Sequence, residues 1–169
     1  MKVKMRATNP PTRMPQLPAP RLALFIASFA GCGYSPFAPG TVGSAAAVGV
    51  ALLLPAWPPL AFAALAAAAF LPAVWAGGRA ATHKGVTDPS LVVVDEAVGQ
   101  WIALAGATAL NWKSLLAAFV LFRLFDVFKP PPVRQLESLH GGLGIVMDDV
   151  MAGLYAALVL FLAGCFNLY

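Results

Sequence analysis

The chain has 169 residues, 60% of them hydrophobic and only 11% charged, whereas a soluble domain usually carries about 25% charge. That composition excludes an ordinary water-covered surface and points to a bilayer. The formal charge of +4 lies mainly in the N-terminal tail, where it reads as an orienting signal in a membrane and not as a nucleic-acid surface.

Lipid offers the backbone no hydrogen-bond partners, so each crossing segment must satisfy itself, and Ala- and Leu-rich runs favour helices over barrel strands. The expected fold is all-α. It is a polytopic membrane bundle of about four full spans plus a broken N-terminal half-helix pair, forming one domain over residues 22–169. Cys32 and Cys165 sit in apolar surroundings without metal-ligand spacing, which argues against a disulfide framework or a zinc site.

Residues 1–21 are basic and Pro-rich and read as a cytoplasmic tail with little intrinsic fold. Lys2, Lys4 and Arg6 precede LALFIASFAGC, a run that ends like a lipoprotein cleavage site. It begins only at Leu22, however, and Phe29 stands where such signals usually carry Leu, so cleavage is not expected.

The apolar segments that follow are 22–33, 43–54, 60–78, 91–110, 113–128 and 149–166. The first two are too short for ordinary spans. Between them SPFAPGTVGS, Ser35 to Ser44, cannot continue a helix. It predicts a half-helix, a loop at the cytoplasmic face and a short helix from Gly43 to Trp57. Counting turns from there puts the basic residues on the N-terminal side, with Lys113 alone opposite, as the positive-inside rule requires. Trp57, Trp112 and Tyr169 then fall in an aromatic belt at the far ends.

The same topology brings all seven acidic residues to the near side. Ionised groups near hydrocarbon are costly, so such a cluster is a functional hypothesis by default. In LVVVDEAVGQWI, Asp95 and Glu96 interrupt an apolar run; as adjacent helical residues they point about 100° apart, one to a site and one to a brace. Gly99 would clear space beside Asp95. In FRLFDVFKPPP, Arg123, Asp126 and Lys129 share one helix face, cations for phosphate oxygens around a carboxylate for metal. In HGGLGIVMDDVMAG, Gly141 and Gly142 let backbone approach a ligand, and Asp148 and Asp149 open the last span as oxygen ligands suited to Mg²⁺. His140 is a candidate general acid. The broken loop adds Thr41, Gly43 and Ser44 at a helix start, where free amides attract anions.

Carboxylates, cations and an anion-receptive helix end are the parts of metal-assisted phosphoryl transfer. A substrate reaching them from the membrane plane is a phosphorylated lipid. These four segments, in order and spacing, resemble bacterial phosphatidylglycerophosphatase A over about Leu22 to Leu162. PPP after Lys129 and the N-terminal tail depart from the family's pattern. The resemblance implies a Mg²⁺-dependent phosphatase converting phosphatidylglycerophosphate to phosphatidylglycerol at the inner membrane, its site facing the cytoplasm. It carries over Asp95, Glu96, Arg123, Asp126, Lys129, Gly141, Gly142, Asp148 and Asp149 without assigning their roles.

The residues themselves suggest Asp95, Asp126, Asp148 and Asp149 as ligands, with Glu96 as alternative or brace. Catalysis falls to Asp95, Asp126, Asp149 and His140, and phosphate binding to Arg123, Lys129 and the amides near Thr41, Gly43 and Ser44. A covalent route through Asp or Ser, a membrane phosphotransferase and a small ion or solute transporter remain open alternatives. Against a translocation path, no acidic residue lies along the far half of any span.

Overall fold

The computed structural model describes residues 21–136 and 138–169. The tail expected over residues 1–21 therefore lies outside the described residues except for Arg21, as does Glu137. Seven α-helices and no strand occur among the described residues: α1 Arg21–Ala27, α2 Pro39–Leu53, α3 Pro59–Lys84, α4 Val94–Ala105, α5 Trp112–Phe128, α6 Val133–Leu136 and α7 Gly142–Cys165. The all-helical expectation holds, and the broken N-terminal pair is present as α1 and α2.

Three boundaries differ from the sequence reading, each for a local reason. Helix α2 starts at Pro39 and not at Gly43, because Pro fits the first helical turn, where no N–H is needed. Helix α4 has 12 residues, about 18 Å of rise, too short to cross hydrocarbon alone. Helix α7 begins at Gly142, so Asp148 and Asp149 stand in its second turn and not at its opening.

Of the four full spans expected, two helices are long and apolar enough to cross a membrane: α3, with 26 residues, and α7, with 24. Only 28% of the α3 window and 44% of the α7 window are buried, unlike a helix sealed inside a soluble core. Their outer faces carry exposed Leu60, Leu71 and Trp75, and Leu154, Leu158 and Phe161. Helix α5 exposes Leu116, Val120 and Leu124 at helical spacing. Apolar stripes facing outward belong in lipid, and the protein is a membrane protein on that account.

Helix α4 is the hub, packed by α2, α3, α5 and α7. Close approach is achieved with glycine. A Cβ on Gly99 would strike the Phe122 ring and the Asp149 carbonyl, and one on Gly153 would strike the Gly99 backbone. The space expected beside Asp95 at Gly99 is thus filled by α5 and α7. Farther along, Gly106 meets Ala157 backbone in the same way.

Helix α2 is held by the Trp101 indole N–H, which donates to the Ala47 carbonyl at 3.2 Å. Val93 N–H donates to the Ala27 carbonyl at 2.8 Å, tying the end of α1 to the start of α4. Asn111 caps α5 through a reciprocal box with Ser114. At that end of the bundle Tyr169 Oη accepts from Thr108 N–H and donates to the Leu160 carbonyl. Trp112 is exposed there, whereas Tyr169 also closes the loop beside Gly164.

Candidate active site

The other end of the bundle collects the N-termini of α2, α4 and α7 and the C-termini of α3 and α5. Three parallel helices therefore point the positive ends of their dipoles at one place. A cavity of about 280 Å³ lies among them, walled by Gly40 and Thr41 of α2, Asp95 and Glu96 of α4, Arg123 and Asp126 of α5, then Lys129, Asp148 and Asp149.

Asp95, Glu96 and Asp149 form the core of this pocket, each offering an oxygen within 4.8 Å of the other two. Asp95 and Asp149 are buried, and Glu96 is partly so. Their juxtaposition follows from the glycine crossing, because Asp149 can come beside the first turn of α4 only where Gly99 lacks a side chain. Glu96 Oε2 is buried without a hydrogen-bond partner. Three carboxylates crowded at low dielectric repel one another unless a cation or protons intervene. An all-oxygen donor set with a bare buried oxygen fits a hard divalent cation.

Asp126 and Asp148 share the pocket but are engaged differently. Arg123 Nη1 lies 2.6 Å from Asp126 Oδ2, and Lys129 Nζ donates to Asp148 Oδ2 at 2.8 Å. Lys129 sits just past the end of α5 with φ 45°, a left-handed turn that aims its side chain back across the bundle to α7. The following proline segment is pinned where Tyr155 Oη donates to the Pro131 carbonyl at 2.9 Å. Of the five expected metal ligands, three thus form the tight cluster, while the other two orient the cations.

The remaining expected site residues divide. Thr41 lines the pocket, and the first-turn amides of α2 have no partner within the helix. Gly43 and Ser44 face elsewhere: a Cβ on Gly43 would press on Val93, and buried Ser44 donates its hydroxyl to the Gly40 carbonyl at 3.0 Å. Gly142 is a packing glycine, where a Cβ would strike the Val74 carbonyl. Gly141 and His140 line a neighbouring cavity and not the carboxylate pocket.

Two residues escaped the sequence reading. Gly40 lets α2 sit on the Glu96 carboxylate, with the Arg123 guanidinium beside it; its place within a Pro-Gly break was the available signal. Gln100 is fully buried, four residues after Glu96, and neither its Oε1 nor its Nε2 has a partner. An amide inside an apolar run was its signal.

The model of the family described as phosphatidylglycerophosphatase A matches residues 25–164. The chain belongs to that family. It is 36% identical over 135 residues to phosphatidylglycerophosphatase A of Escherichia coli, covering 79% of this chain and 78% of that protein. The protein of the same name from Haemophilus influenzae is 42% identical over 127 residues, 73% of this chain and 77% of its own length. A Bacteroides thetaiotaomicron protein named "Putative phosphatidylinositol-3-phosphatase" is 42% identical over 149 residues, covering 84% of this chain and 93% of that protein. No solved structure matches the chain. The family's matched region contains every wall of the carboxylate pocket.

Proposed function

We infer that the protein is a phosphatidylglycerophosphatase, hydrolysing the terminal phosphomonoester of phosphatidylglycerophosphate to give phosphatidylglycerol and phosphate. The observation that carries the reading is the single pocket joining the Asp95, Glu96 and Asp149 cluster to Arg123, Lys129 and the α2 N-terminus. Anion-binding and cation-binding groups face each other across a space suited to a phosphate.

Asp95, Glu96 and Asp149 would hold Mg²⁺. A divalent cation there supplies Lewis-acid polarisation of the phosphoryl group and a more acidic water. Arg123, paired with Asp126, neutralises phosphate oxygens, and Lys129, paired with Asp148, does so from just past the end of α5. The Gly40 and Thr41 amides add neutral donors at a helix N-terminus. His140, exposed at the edge of the adjoining cavity and not in the carboxylate pocket, would protonate the departing alcohol oxygen. Closely spaced carboxylates would otherwise repel the substrate; the paired cations offset that repulsion.

The protein crosses the inner membrane several times, with α3 and α7 as full spans and α5 as a shorter one. The pocket opens to the cytoplasm, since Arg79, Lys84, Arg123, Lys129 and Arg134 gather at its end and Lys113 lies at the other. Residues 22–169 act as one catalytic domain behind a basic tail. The substrate enters laterally, its acyl chains remaining in lipid.

The deciding experiment measures phosphate release by purified protein in detergent from phosphatidylglycerophosphate, with and without chelator. Release that is lost in chelator and restored by Mg²⁺ is expected. Undiminished release in chelator would sink the metal assignment, and no release under any condition would sink the activity.

A further inference from the structure

We propose that the cavity between the end of α3 and the start of α7 is the subsite for the polyol and phosphodiester of the lipid headgroup. It therefore decides which alcohol may carry the phosphate. The proposal rests on the lipid-phosphatase reading and deepens it.

The cavity measures about 650 Å³ and shares Asp88, Ile145 and Asp148 with the 280 Å³ carboxylate pocket. The smaller space suits a phosphate with its metal; the larger falls within the range of small-molecule sites. In phosphatidylglycerophosphate the scissile monoester is joined through glycerol to a diester, so a second group must lie within a few bonds of the first. The adjoining cavity is placed to receive it.

Its lining combines the hydroxyls of Thr82 and Ser138 with the carboxylates of Asp88 and Asp148, which matches a hydroxylated ligand. Thr82 donates its hydroxyl to the Gly78 carbonyl at 2.9 Å, and Ser138 donates to the Gln135 carbonyl at 2.6 Å. Each therefore keeps lone pairs to accept from a polyol. The first turn of the 24-residue helix α7 borders the same space, and its positive end offsets the Asp88 and Asp148 carboxylates where the diester must lie.

An independent observation comes from Asp148. It is buried, lines both cavities, and has its Oδ2 taken by Lys129, yet its Oδ1 has no partner. A bare carboxylate oxygen in that position is costly, and a polyol hydroxyl donating to it removes the cost. Asp148 would thus join the two subsites, holding Lys129 with one oxygen and accepting from the free hydroxyl of the bridging glycerol with the other.

The test uses two inhibitors of the full-length enzyme. Orthovanadate occupies the phosphate pocket alone, whereas short-chain dihexanoyl phosphatidylglycerol, the product lacking the scissile phosphate, occupies the headgroup cavity. Thr82 and Ser138 are exposed, so Thr82→Phe and Ser138→Trp fill the cavity without invading the core. Each should raise the inhibition constant of the lipid about tenfold or more, on the scale of a lost hydrogen-bonded fit. The vanadate constant should remain within about twofold, which also certifies the fold. Unchanged lipid inhibition in both variants, or parallel changes for the two inhibitors, would overturn the proposal. Failure of the parent reading registers separately, as wild-type enzyme that releases no phosphate from phosphatidylglycerophosphate.

Discussion

Gly153 of α7 rests on the backbone of Gly99 in α4 so closely that a methyl group on Gly153 would strike it, while one on Gly99 would strike the Phe122 ring and the Asp149 carbonyl. The contact sets the separation of the helices that carry Asp149 and Asp95, linking a packing detail to the carboxylate cluster. Gly99→Ala should cost about 1–3 kcal/mol through overpacking and lower phosphate release by spreading the cluster. Gly49, inside α2, has nothing within 4 Å of an added Cβ. Gly49→Ala should therefore be neutral or stabilising by up to about 1 kcal/mol. Thermal unfolding in detergent, run beside activity, checks both; an unaffected Gly99→Ala protein would contradict the role given to the crossing.

Asp95, Glu96 and Asp149 lie within 4.8 Å of one another, and neutralising one of three crowded anions relieves repulsion. Asp149→Asn should thus leave the metal-free protein as stable as wild type or more so, while abolishing phosphate release. Mg²⁺ should raise the unfolding midpoint of wild type, because a ligand bound only by the folded state stabilises it. The variant should show little such rise. A full Mg²⁺ response in Asp149→Asn would remove Asp149 from the ligand set.

Charge and apolar runs made the membrane class and the common face of the acidic residues legible, because both depend on composition along the chain. Asp95, Glu96, Arg123, Asp126, Lys129, Asp148 and Asp149 all line one pocket. What sequence periodicity did not reveal was pairing across helices. Lys129 reaches Asp148 through a left-handed residue after α5, whereas the Arg123–Asp126 pair lies within one helix, at the spacing of three that the sequence shows. Glycines were ambiguous for the same reason: Gly43 and Gly142 serve backbone contact while Gly40 adjoins the site, and local spacing does not separate those uses. The short α4 was hidden because Leu91, Val92 and Val93 before it are apolar but non-helical.

Arg123 Nη1 stands 2.6 Å from Asp126 Oδ2 while the guanidinium lines the phosphate pocket. A planar fork serves two partners at once, which an ammonium does less well. Arg123→Ala should lower kcat/KM by roughly 10²-fold or more, the scale of removing a donor to developing charge. Arg123→Lys should restore only part of it, and Asp126→Asn should lower kcat/KM with Arg123 still present. Equal activity of Arg123→Lys and wild type would show that charge alone matters.

Gln100 presents the opposite balance of stability and function. It is fully buried on α4, and its side-chain Oε1 and Nε2 both lack partners. It lies one helical turn from Glu96, whose Oε2 is also bare. Replacing an unsatisfied buried amide with an apolar group of similar size removes a desolvation cost of about 1–3 kcal/mol. Gln100→Leu should consequently unfold at the same temperature as wild type or higher. If the amide supports the Glu96 carboxylate when metal is bound, the same variant should need more Mg²⁺ for half-maximal phosphate release. A Mg²⁺ titration of activity beside the melting curve separates these effects: higher stability with an unshifted Mg²⁺ requirement would mark Gln100 as a packing residue alone.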